Sequence, residues 1–211
     1  GRVAGVAVTV WAPRRARAAT LRRTLRLVEQ RLPRLGRLFG SYGWPDLQVI
    51  LTDAIGMEHT ALVMTPPIDF VVTHELAHEW WYALIGDDQA AAPWLDEGFA
   101  TWAEAAARGR PTRCDIGPRR ARLTTRAVGF FRTRPFAYEV PYVGGACLLA
   151  QLERRIGRAR FRAALRQYAV ERRYGWHTAA EFVAAMRAAA GSRRLGDLWR
   201  AYRLATDAGA A

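Results

Sequence analysis

Residues 68–85 read IDFVVTHELAHEWWYALI. The run is apolar nearly all round, and a helix with that pattern belongs in a core rather than on a surface. Yet its middle, THELAHEWW at residues 73–81, carries two histidines and two glutamates, in a chain with four histidines in total. Polar groups buried in such a helix need partners, so whatever fold forms here must supply them. The expected helix runs from about residue 68 to 85, with Asp69 or Thr65 available to cap its start.

On a helix, residues four apart project from one face. His74 and His78 can therefore reach one zinc ion at ~2.0–2.1 Å. Glu75 lies at the edge of that face, where it can hold a water rather than ligate. This is the HExxH arrangement. A solvated face rich in His and Glu is the competing reading, and the apolar flanks oppose it. A third ligand is then required. The segment WLDEGFATWAE at 94–104 offers Asp96, Glu97 and Glu104, and begins a second largely apolar helix after a short loop. Glu97 follows His78 by eighteen intervening residues and is assigned to the zinc. Glu104, two turns further on, is assigned to orienting a ligating imidazole. A solvated helix residue is the alternative for Glu104. The fourth corner stays open for water, which separates catalytic from structural zinc.

The rest of the chain reads as mainly α with a small β portion. Residues 3–11 alternate and meet Pro13, a strand and then a boundary. Leu21, Leu25, Val28, Leu32, Leu35 and Leu38 mark an amphipathic helix over 14–39 with an arginine outer face, which Pro33 is expected to kink or divide. LQVIL at 47–51 is a buried strand, and 55–64 a second extended segment ended by Pro66 and Pro67. Residues 110–140 show little periodicity and read mostly as loop. Helices are expected at 142–156, 159–173, 178–190 and 195–205, punctuated by Gly157, Gly175 and Gly191. Thr178 and Glu181 resemble a capping box.

The net charge of +13 invites a nucleic-acid reading, but its distribution argues against one. All 32 basic residues are arginine, and between Ser41 and Ala107 there are eleven acids and no arginine. No aromatic platforms interleave with the arginines as single-strand binders require. No run approaches the roughly 18 apolar residues of a membrane span. Cys114 and Cys147 suit either a disulfide or two buried thiols. Localisation stays open between a bacterial cytoplasm and an exported or cell-envelope position.

HELAHEWW, followed at its spacing by WLDEGFATWAE, resembles the zinc aminopeptidases of the M1 family, gluzincins with a thermolysin-like catalytic domain, in a bacterial, tryptophan-rich form. IGMEHTAL at 55–62 is similar to the family's cleft-lining Gly-Met-Glu strand. VPYVGGACLLAQLERRIG at 140–157 is similar to the segment with the catalytic tyrosine. The resemblance implies one Zn²⁺ on His74, His78 and Glu97, Glu75 as general base and Tyr142 as oxyanion donor. It implies substrate contacts at Gly56, Met57 and Glu58, with Glu58 on the free α-amine of a peptide. It further implies that residues 1–12 end an N-terminal β domain, that 13–211 form the catalytic domain, and that a missing β domain is needed for full amine recognition, the chain being a fragment of a larger protein. Ile55, His59, Glu79 and Gly144 depart from the family pattern and leave side-chain preference open. An endopeptidase, or an inactive zinc-binding domain on the same scaffold, is the alternative.

Overall fold

The computed structural model describes residues 1–53, 56–115, 123 and 139–204. The alternating N-terminal segment splits at Ala4–Gly5, both at positive φ, into β1 (Arg2–Val3) and β2 (Val6–Trp11), which pair antiparallel. The leucine-spaced segment is one helix, α1 (Ala18–Phe39), and Pro33 lies inside it without ending it. Val28, Leu32, Leu35 and Phe39 form its buried stripe, each contributing about 1.5–3 kcal/mol by leaving water. The chain then returns as β3 (Asp46–Leu51), parallel to β2, with Leu47, Val49 and Leu51 turned inward.

The extended segment after it is a hairpin. β4 (Met57–His59) and β5 (Leu62–Thr65) run antiparallel with Glu58 opposite Val63, and Ala61 takes positive φ at the turn. The sheet order is β1-β2-β3-β5-β4, so β1 and β2 belong to the same sheet as the rest and β4 is an edge.

α2 (Asp69–His78) follows, shorter than the periodicity predicts. The backbone leaves the helix after His78. Ala83 N–H reaches the His78 carbonyl, Tyr82 takes positive φ, and Ile85 joins the two-residue strand β6 (Ile85–Gly86). That strand pairs in parallel with β7 (Gly175–Trp176) from late in the chain. A long-range ladder overrides local helical propensity there. Ile68 occupies the start of α2 without a side-chain cap, and Asp69 instead sits in the first turn and receives Arg31 of α1 at 3.0 and 3.1 Å. That bridge pins the two helices, and it holds the Asp69 carboxyl below its usual range despite the upward push of burial.

α3 (Glu97–Arg108) packs along α2 and ends at Gly109 in the left-handed conformation, the role glycine fills at a helix C-terminus. A wide π-type turn at Val140–Gly144 opens α4 (Gly145–Ile156), followed by α5 (Arg158–Glu171), α6 (Ala179–Ala190) and α7 (Gly196–Ala201). Thr178 and Glu181 form the expected reciprocal cap on α6. Most of the segment read as loop at 110–140 lies outside the described residues. Phe39, Trp80, Trp81, Trp94, Phe99 and Trp102 are essentially fully buried and meet ring to ring around the junction of α1, α2 and α3. Among the described residues, no helix is long and apolar enough to cross a membrane.

Candidate metal centre

The two helices expected to carry donors lie against each other, and three ring and carboxylate atoms converge between them. His74 Nε2 is 3.1 Å from His78 Nε2 and 3.1 Å from Glu97 Oε2, and His78 Nε2 is 3.4 Å from the same oxygen. A tetrahedral zinc with bonds of ~2.0–2.1 Å sets its ligands roughly 3.4 Å apart. The donor set therefore has the chemistry and the spacing for one zinc ion.

What lies behind the donors fixes their form. The Asp96 carboxylate abuts His78 Nδ1, and the Trp81 carbonyl is 3.2 Å from it. Nδ1 thus carries the hydrogen and Nε2 offers its lone pair to the centre. Burial alone would lower the His78 pKa, but Asp96 and Glu97 outweigh it and raise it well above the ordinary value. Glu97 is also pushed up by burial, and its bonds to His74 and His78 more than reverse that, holding it well below the usual carboxylate range. Gln89 Nε2 donates to the other Asp96 oxygen.

Glu75 is buried beside the donors, and a site atom of Glu58, one of Glu75 and one of His78 fall within 4.8 Å of one another. Burial pushes the Glu75 carboxyl up to about 7, against the pull of His74 and His78. The strand-leading backbone closes over it. A Cβ on Gly56 would sit 1.9 Å from Glu75 Oε1, so any side chain there would displace the Glu75 carboxylate. Beyond Gly56, Met57 is exposed and Glu58 half-buried on the edge strand β4.

Tyr142 enters from the π-type turn. Its hydroxyl donates to Glu97 Oε1 at 2.5 Å, and its ring stacks on His74 at 5.7 Å. Burial and the neighbouring Glu97 hold the phenol far above its ordinary pKa, so it remains a proton donor. Two glycines make this approach possible. A Cβ on Gly98, next to Glu97, would lie 2.7 Å from Gly145 Cα, and the reverse contact is equally short. α3 and α4 meet backbone to backbone at that point.

Glu104 departs from the sequence reading, and two further acids, Asp87 and Glu79, lie buried nearby. Glu104 faces Arg108, which donates to it, and the carboxylate that orients a ligating imidazole from behind, at His78 Nδ1, is Asp96's instead. Asp87 is buried with both carboxylate oxygens lacking a hydrogen-bond partner among the described residues. Burial, then the repulsion of Asp96, pushes it up to about 8. Glu79 is buried and joins the helix end to the hairpin, accepting from Ala61 N at 3.1 Å with Tyr42 Oη 3.3 Å from the same oxygen. No pattern in sequence marks Asp87 or Glu79. Asp96 could be found from its place immediately before a ligand at a helix start.

The fold that positions these residues recurs in known proteins. A two-domain M1 zinc metallopeptidase mutant bound to L-tryptophan superposes with a TM-score of 0.72 at 21% identity, over 96% of this chain and 49% of that one. The chain has the fold of the M1 zinc metallopeptidases. An M1 zinc metallopeptidase from Deinococcus radiodurans matches at a TM-score of 0.66 and 21% identity, covering 94% of this chain and 47% of that one. The alanine/arginine aminopeptidase of Saccharomyces cerevisiae is 40% identical over 48 residues, 23% of this chain and 6% of that protein. No family model matches. The chain spans about half the length of the M1 structures it matches.

Proposed function

We propose that the chain carries the catalytic centre of a zinc aminopeptidase that removes the first residue of peptides with a free N-terminus. The observation that carries this reading is the grouping of Glu75, the Tyr142 hydroxyl and the His74, His78 and Glu97 donors around one point, with Glu58 within reach on the sheet edge. One of the similar metallopeptidases holds a free amino acid, L-tryptophan, which is the kind of product such a reaction releases.

His74, His78 and Glu97 would hold the ion. When bound, zinc supplies Lewis acidity that acidifies a water and draws charge from the scissile carbonyl. Glu75, poised near neutrality, accepts a proton from the water as its oxygen bonds to the carbonyl carbon. It returns that proton to the leaving nitrogen as the C–N bond breaks. Tyr142 stays protonated and donates its O–H toward the oxygen that gains negative charge. Gly56 and Met57 lead along β4, which is the sheet edge among the described residues and suits an extended peptide added as a further strand. Glu58 receives the substrate ammonium and sets the register one residue from the end.

The test compares free-amine and N-acetylated versions of the same peptide, using the full polypeptide loaded with zinc. Hydrolysis of the free-amine form alone supports the reading, and equal cleavage of both points to an endopeptidase. Glu75→Gln is expected to retain one zinc while turnover falls by at least roughly 10²-fold, as for loss of a general base. Undiminished kcat in that variant would remove Glu75 from the chemistry.

A further inference from the structure

One face of the two metal-bearing helices continues past the donors into a cavity of about 610 Å³. Phe70 stands one turn before His74 on α2, Thr101 and Glu104 stand one and two turns beyond Glu97 on α3, and Val143 follows Tyr142. All four line the cavity, and none of its lining residues comes from β4 or β5, the hairpin of Glu58. The cavity therefore suits the leaving side of the substrate rather than its amine. The Thr101 hydroxyl is buried and has no hydrogen-bond partner among the described residues.

The rim is basic, built by Arg108, Arg110 and Arg113 from the end of α3 and the loop after it. Arg108 is occupied by Glu104 and by Asp69 at 3.5 Å. Arg110 and Arg113 are exposed and enter no ion pair among the described residues. The disulfide between Cys114 and Cys147 ties this loop to α4, the helix that follows Tyr142, so Arg113 sits beside a fixed point. Arginine is abundant throughout the chain, and what distinguishes these two is their place in the lining of a cavity whose α2 and α3 residues share a face with the metal donors. The amine end of the cleft is acidic, through Glu58, Glu75 and Glu97. The cleft is therefore bipolar.

We propose that Arg110 and Arg113 select substrates with a carboxylate on the residue after the scissile bond. Two sources supply that group: an Asp or Glu side chain, or the free C-terminus of a dipeptide. Guanidinium groups match a carboxylate in shape and charge, and the cavity lies within the range of small-ligand pockets. The proposal rests on the aminopeptidase reading for its substrate class.

The test uses matched peptides that begin with leucine. Leu-Glu-amide against Leu-Gln-amide probes the side-chain source, and Leu-Ala against Leu-Ala-amide probes the terminal one. Affinity is measured by calorimetry on the zinc-loaded full polypeptide carrying Glu75→Gln, and kcat/KM on the unsubstituted protein. The carboxylate member is expected to bind about fivefold tighter in at least one pair, the scale of a partly exposed ion pair. That preference shrinks at high salt and reverses in the double variant Arg110→Glu with Arg113→Glu, whose zinc content reports an intact site. The pair that responds names the source. Equal affinity within both pairs, or a preference that survives the double substitution, overturns the proposal. Absence of turnover on all four peptides with the binding preference intact overturns the aminopeptidase reading and leaves Arg110 and Arg113 as a carboxylate-binding pair.

Discussion

Asp96 shows how a residue one step outside the chemistry can set it. Its carboxylate lies against His78 Nδ1 in a nearly dry site, so His78 must present Nε2 to the centre. Asp96→Ala leaves that hydrogen with only the Trp81 carbonyl at 3.2 Å. Zinc affinity is expected to fall about 10–100-fold, the usual cost of losing such a partner, measured by competition with a chelating dye. Asp96→Asn keeps an acceptor oxygen and is expected to fall much less. Affinity unchanged in Asp96→Ala would mean that the backbone carbonyl orients the ring alone. The residue scale is also where the sequence is most and least legible. The relation of His74 to His78 follows from helix geometry alone, so a spacing of four already describes one face. Glu97 lies on a different helix, and its approach is visible only as a fixed interval after His78. Glu104 has an interval too, yet Arg108 lies four residues on and takes its carboxylate. Spacing on a helix tells which side chains share a face, and competition among neighbours decides which of them bond.

At the scale of elements, the site depends on two glycines as much as on its donors. α3 brings Glu97 and α4 follows Tyr142, and they can meet only because Gly98 and Gly145 oppose each other without side chains. A single methyl at Gly98 would come within 2.7 Å of Gly145 Cα and 3.0 Å of the Pro141 carbonyl oxygen. Neither neighbour is a flexible side-chain tip, so the helices must separate. Gly98→Ala is expected to destabilise the protein by about 1–3 kcal/mol, the range for overpacking, and to weaken zinc binding as Glu97 moves. Denaturant melts and the same dye competition check both. A variant of unchanged stability and unchanged zinc affinity would show that α4 can shift freely. Helix existence is legible at this scale, through the leucine stripe of α1 and the Thr178 and Glu181 cap of α6. Helix ends are legible only where local chemistry sets them, as at Gly109. α2 stops seven residues early because Ile85 is recruited by Gly175, 90 positions away in sequence, and no local pattern carries that information. The hairpin at β4 and β5 is hidden for a related reason: its turn uses Ala61 at positive φ and draws on Glu79 from a later element.

At the scale of the whole molecule, His177 is where distant parts of the chain close on one another. Its backbone N–H donates to Gly86, its ring packs against Trp81, Phe99 and Tyr168, and Nδ1 is 3.2 Å from the Tyr168 hydroxyl. Its Nε2 is buried and has no hydrogen-bond partner among the described residues. Burial pulls its pKa down to about 4, only partly opposed by Glu181, whereas an unfolded histidine titrates near ~6.5. Between those values the unfolded chain binds a proton that the folded chain refuses. The contribution of His177 is therefore fully present above pH ~6.5 and is lost as pH falls toward 4. Glu79 and Asp87 run in the opposite sense. Burial lifts both to about 8, so their folded forms hold protons that the unfolded chain has released, and they cost stability as pH rises from ~4 toward 8. The pH dependence of the whole protein mixes these effects, and a difference measurement separates them. His177→Gln keeps a polar group toward Tyr168 and removes the titration. In zinc-free protein with chelator present, the stability gap between the parent and His177→Gln is expected to shift in favour of the variant by about 2 kcal/mol on going from pH 7 to pH 4.5. Urea titrations of both proteins at the two pH values measure it. A gap that does not change with pH would mean that the His177 ring is protonated in the folded state as readily as in the unfolded one. The junction of α2, α3, α6 and the β6–β7 ladder would then be open to water.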